Sequence, residues 1–164
     1  MAALVLAACS GAFDWRQMEP PGLQLALSMP CRPASHARRV KLAAVEVEMT
    51  MFACTAQDLT FAVGTLDTGD PARVGDALVA LRSAALANVQ GQVTYEANAA
   101  VTGMTPHPAA RDVSFVGRLP NGKLVHERVV VFSHGARAYQ AVLVGPERDE
   151  DAARTFIGAL RVLP

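Results

Sequence analysis

The sequence predicts an α+β fold in which an antiparallel β-sheet is covered by helices, and three observations carry that expectation. Apolar and polar residues alternate in several separate segments, the period of half-buried strands. One mid-chain segment and one closing segment instead repeat their apolar residues at helical spacing. Pro120-Asn121-Gly122 joins two alternating segments through a hairpin signal, so neighbours in sequence run antiparallel. With 164 residues, 51% hydrophobic and 18% charged, the chain has the size and composition of one ordinary domain.

The domain is expected to span residues 22–164, because Pro20-Pro21-Gly22 punctuates a tether over residues 10–21. Leu23, Leu25, Leu27 and Met29 alternate with Gln24, Ala26 and Ser28, a strand that stops at Pro30. Val45, Val47, Met49 and Met51 alternate with Glu46, Glu48 and Thr50 and run into Cys54, and pairing of this strand with the first is expected to bring the two cysteine ends near each other. Leu59 to Leu66 makes a third strand with Phe61 and Val63 on one face. At Asp70-Pro71 the period changes: Asp70 is suited to cap a helix, Pro71 sits where a missing N–H does no harm, and Gly91 closes the segment. Val74, Leu78, Leu81, Ala85 and Val89 form its buried stripe, with Arg73, Asp76 and Arg82 away from it.

Residues 92–108 contain Gly103, Pro106 and Pro108 and read as a weak strand or a crossing loop. Val113, Phe115 and Leu119 then lead into the hairpin. Lys123 to Ser133 carries Val129-Val130-Val131-Phe132, apolar on both faces as a central strand is. After a turn at Gly135, Ala136 to Val144 returns with Tyr139, Ala141 and Leu143 on one side. A last helix begins near Asp149, where Glu147, Asp149, Glu150 and Asp151 complement its positive end, and Ala153, Phe156, Ile157 and Leu160 form its stripe.

The first ten residues are an apolar run that stops at Cys9, far short of the roughly 20 residues of a spanning helix. Leu6-Ala7-Ala8-Cys9 resembles the bacterial lipobox, although no Lys or Arg precedes it. The resemblance implies that residues 1–9 are a signal segment, that Cys9 receives a diacylglyceryl group, and that the domain is anchored at the periplasmic face of a membrane, inner or outer. The alternative is an apolar strand with a buried Cys9. Cys31 and Cys54 remain as one even pair, expected to form a disulfide in an exported protein. Closing a loop of about 24 residues would stabilise the domain by roughly 3–4 kcal/mol. Two buried free thiols are the other reading, and no Cys-x-x-Cys is present to suggest redox or zinc chemistry.

The opening Gly22-Leu23-Gln24-Leu25-Ala26-Leu27, the hairpin Gly117-Arg118-Leu119-Pro120-Asn121-Gly122, the strand Arg137-Ala138-Tyr139-Gln140-Ala141 and the closing helix Ala153 to Leu160 together resemble the PsbP-like and DcrB-like proteins. That resemblance spans roughly residues 22–163 and implies an α/β/α sandwich. Its members include photosystem accessory subunits, envelope lipoproteins and cytosolic chaperones for secreted effectors, so it implies binding or assembly without fixing a partner.

Fifteen Lys and Arg balance fifteen Asp and Glu, which leaves no basic footprint for nucleic acid. None of the four histidines, His36, His107, His126 and His134, is spaced from another as metal ligands on a helix are. His126 and Glu127 are adjacent on a strand and point to opposite faces, while His107 and His134 read as loop and turn residues. Glu46 and Glu48 read as a solvated strand face, and Arg38-Arg39-Val40-Lys41 as a solvated basic loop or a contact with anionic headgroups. Arg137 and Tyr139 share a strand face and, with Arg118, are expected to line a partner-binding groove, since Arg and Tyr are favoured at interfaces. The resulting expectation is a non-enzymatic, lipid-anchored envelope protein that binds another protein or supports an envelope assembly and needs no cofactor or metal. A cytosolic effector chaperone of the same fold and a small hydrolase using a histidine are the alternatives.

Overall fold

Residues 13–42 and 44–164 are described in a computed structural model of the protein. In chain order the strands are β1 (Arg16–Met18), β2 (Leu25–Met29), β3 (Ala34–Leu42), β4 (Val45–Ala56), β5 (Leu59–Asp67), β6 (Gln92–Asn98), β7 (Arg111–Arg118), β8 (Leu124–His134), β9 (Arg137–Gly145) and β10 (Arg161–Val162). The helices are α1 (Val74–Asn88), entered through a single 3-10 turn at Pro71–Arg73, and α2 (Glu150–Gly158). Asp70 caps that turn by accepting from the Ala72 N–H at 2.9 Å, and Asp149 caps α2 by accepting from the Ala152 N–H at 2.8 Å.

Seven strands form one antiparallel sheet in the order β3-β4-β5-β9-β8-β7-β6. Two meanders meet in it. β3, β4 and β5 are consecutive hairpins, α1 carries the chain across one face to the far edge, and β6 to β9 return strand by strand until β9 pairs with β5. The crossing is close. A Cβ on Gly117 of β7 would lie 2.2 Å from the Val89 carbonyl oxygen, so only glycine admits the end of α1 there. Gln140 of β9 donates to the Leu81 carbonyl at 3.4 Å, which identifies the sheet face that α1 covers.

The other face is covered differently from the sandwich implied by the family resemblance. There a small sheet of order β1-β2-β10 lies beside α2, with the Phe156 ring 5.3 Å from that of Phe61. Strands make up 51% of the described residues and helices 18%, so the fold is β-rich and the α/β/α sandwich is corrected. Geometry gives the reason. A nine-residue helix is about 14 Å long, whereas seven strands span about 29 Å between outer axes, so α2 alone leaves most of that face open.

Three further expectations change. Residues from Phe13 onward are not a free tether: Phe13 and Trp15 pack on Phe61, and β1 pairs with β2, Arg16 opposite Met29. Arg38-Arg39-Val40-Lys41 lies in edge strand β3, where Lys41 faces Glu46 and Arg39 faces Glu48 across the ladder, rather than in a loop. β2 does not pair with β4. The Cys31–Cys54 disulfide, with Cα atoms 5.9 Å apart, instead joins the small-sheet layer to the large sheet. The predicted stripe of α1 is buried throughout, and Val129, Val130, Val131 and Phe132 of β8 are buried on both faces as expected.

Candidate functional site

The sheet places Asp112 and Arg128 on neighbouring strands β7 and β8, on the face shared with α2. Arg128 grips Asp112 with two bonds, Nε to Oδ1 at 2.9 Å and Nη2 to Oδ2 at 2.7 Å. Its Nη1 lies 3.9 Å from Glu150 Oε2 in the first turn of α2. The bond to Asp112, opposed in part by burial, raises the guanidinium pKa further, so Arg128 stays charged.

Around this ion pair a cleft opens between α2 and the sheet. One part, only about 30 Å³, is bordered by Ser114, His126, Arg128, Gly145, Asp149 and Ala153. A second, more open part of about 410 Å³ shares Arg128 and Glu150 and continues to Tyr95, Asp112 and Arg154. Tyr95, on edge strand β6, is 49% exposed. An exposed aromatic beside a half-buried arginine is the composition favoured at protein interfaces.

Glu127, which borders the smaller part, is 9% exposed. Its neighbours across the ladder are Phe115 and Val144, and burial alone pushes its carboxyl up to about 7. Strand alternation puts it on the α1 face with Val125, Val129 and Val131, opposite His126. Ser114 pairs with Arg128, while His126 pairs with Val116. A Ser–His–carboxylate relay is not assembled by these residues.

The groove expected of Arg118, Arg137 and Tyr139 does not form. Arg118 pairs with Leu124 at one end of β8, and Arg137 pairs with His134 at the other, about 34 Å away at strand spacing. Arg118 donates to the Gly122 carbonyl at 2.9 Å and Arg137 to the Gly22 carbonyl at 3.0 Å, so Arg118 secures its own hairpin and Arg137 the distant turn before β2. Tyr139 is 0% exposed and stacked on Phe132 with centroids 5.0 Å apart. Its hydroxyl makes no hydrogen bond of sound geometry, and desolvation raises its pKa against smaller opposing effects of Arg137 and the Thr65 side chain.

The other expected positions are local. His107 Nδ1 accepts from the Ala109 N–H at 3.0 Å, and His134 Nδ1 lies 3.1 Å from the Gly103 carbonyl. The His134 contact stitches residues 99–110 to the domain, whereas the His107 bond lies within that segment. His36 lies on exposed β3. Cys9 falls outside the described residues. Among the described residues no three His, Cys, Asp or Glu groups converge as a metal would require, and no helix is long and apolar enough to cross a membrane.

Sequence reasoning missed the cleft because it depends on register. Asp112 and Arg128 are sixteen residues apart and meet only through the β7–β8 ladder. Glu127 left a signal, since it shares inward parity with Val125, Val129 and Val131. No protein-family model matches this chain, and no curated protein matches it significantly.

Proposed function

We propose that the protein is an exported, lipid-anchored envelope module that binds a protein partner in the cleft between α2 and the sheet. The observation that carries the export half is the Cys31–Cys54 bridge, because disulfides persist in oxidising compartments and are rare in the cytosol. The lipobox-like Leu6-Ala7-Ala8-Cys9 supports the anchor. Tyr95, half exposed, and the Arg128–Asp112 pair support binding in the cleft.

The test is fractionation of the native host carrying either the natural protein or Cys9→Ser. The reading predicts the natural protein in the membrane fraction and the variant in the soluble envelope fraction. A natural protein found in the cytosol would overturn export and favour the effector-chaperone alternative. Equal membrane association of both forms would overturn the lipid anchor.

A further inference from the structure

We infer that the end of the domain bearing the Cys31–Cys54 bridge rests against the lipid bilayer, with the β8–β9 hairpin pointing away. This rests on the anchored reading of Cys9. Only four residue steps separate Cys9 from Phe13, and a chain spans at most about 3.5 Å per residue, so the acylated residue lies within about 14 Å of Phe13.

Phe13 is fixed to the domain. Its ring lies 5.5 Å from Trp15 and 5.8 Å from Phe61, and Trp15 in turn lies 5.6 Å from Phe61. Phe61 pairs with Cys54, whose bridge holds Cys31, and the β4–β5 turn at Gln57 and Asp58 lies just beyond. A long flexible spacer would leave orientation open, but this connection brings one end of the sheet to the membrane. At the other end Asp67 pairs with Arg137, which also pairs with His134. Phe61 and Asp67 are about 20 Å apart along β5.

Two groups at the near end suit lipid headgroups, although the carboxylates of Asp58, Glu147 and Asp149 lie at the same level of the sheet. Trp15 is an aromatic of the kind that settles at a membrane interface. Arg32 is exposed and makes no ion pair among the described residues, which leaves a cation for anionic headgroups. Arg16, opposite Met29, is exposed but is engaged by Asp14, with Nε to Oδ2 at 3.0 Å.

Trp15 is the only tryptophan, which makes it a native probe. The acylated protein, checked by intact mass, is placed in phosphatidylethanolamine–phosphatidylglycerol vesicles containing a headgroup-nitroxide lipid. Trp15 fluorescence should be quenched at least twofold more than that of a Trp15→Phe, His134→Trp protein, whose probe sits at the far hairpin. Because Trp15→Phe alters packing, hydroxyl-radical labelling of the unaltered protein gives a second readout. Peptides with Arg32 and Gln57 should be protected severalfold by vesicles relative to detergent, and the peptide with His134 should not. Equal quenching with equal labelling, on protein shown to carry the lipid, overturns the orientation alone. An unmodified Cys9 overturns the anchored reading and the orientation together.

Discussion

Glu127→Gln replaces a buried carboxyl with a neutral group of nearly the same shape, and its effect should depend on pH in a calculable way. The carboxyl ordinarily titrates near 4.5 and is pushed up to about 7 in the fold by loss of solvent. The folded protein therefore holds this proton more tightly than the unfolded chain does. Its stability is undiminished below about pH 4.5 and falls as pH rises through about 7. At about 1.4 kcal/mol per pK unit, the cost of ionisation is about 1 kcal/mol at pH 5 and about 3 kcal/mol at pH 8. Glu127→Gln escapes that cost, so its advantage over the natural protein should grow by about 2 kcal/mol between those conditions. Urea unfolding of both proteins at each pH measures it, and the comparison cancels the other titrating groups. An advantage that is the same at pH 5 and pH 8 would show that ionisation of Glu127 costs the fold nothing, because a packing effect alone carries no such slope.

Other substitutions test separate contacts. Tyr139→Phe deletes a buried hydroxyl that lacks a hydrogen bond of sound geometry, so chemical unfolding should find it within about 1 kcal/mol of the natural protein or more stable; a loss above about 2 would mean the hydroxyl is satisfied. Removing the bridge with Cys31→Ser and Cys54→Ser should cost roughly 3–4 kcal/mol in oxidised protein and leave the variant insensitive to reductant. Gly117→Ala places a methyl against the Val89 carbonyl and should destabilise by roughly 1–3 kcal/mol; unchanged thermal unfolding would contradict the close approach of α1 to β7.

Where a segment had one dry face or two, its sequence was readable. The stripe of α1, the apolar run Val129 to Phe132 and the turn at Gly122, whose φ is +82°, each carry their own signal. β3 carried none because its residues are mostly exposed on both sides and its order comes from pairing with β4. Phe13 and Trp15 looked like part of a tether because Phe61, the residue that buries them, lies 46 or more positions away. The cysteine pair was legible as a bond, but not as a link between layers, since strand alternation says nothing about which sheet a strand joins. Arg118, Arg137 and Tyr139 were grouped by strand proximity. The length of β8 separates the arginines, and alternation turns Tyr139 into the core. The cleft at Arg128 needed the β7–β8 register, which pattern alone does not supply.

We propose that a disulfide-bridged β-rich domain is held at a membrane through Cys9. The most direct measurement is the intact mass of the protein from membrane and soluble fractions of its native host, before and after reduction. The account predicts membrane-derived protein that lacks residues 1–8, carries a lipid-sized addition on Cys9, and gains two protons on reduction. A soluble, unmodified chain whose mass does not change on reduction would contradict it.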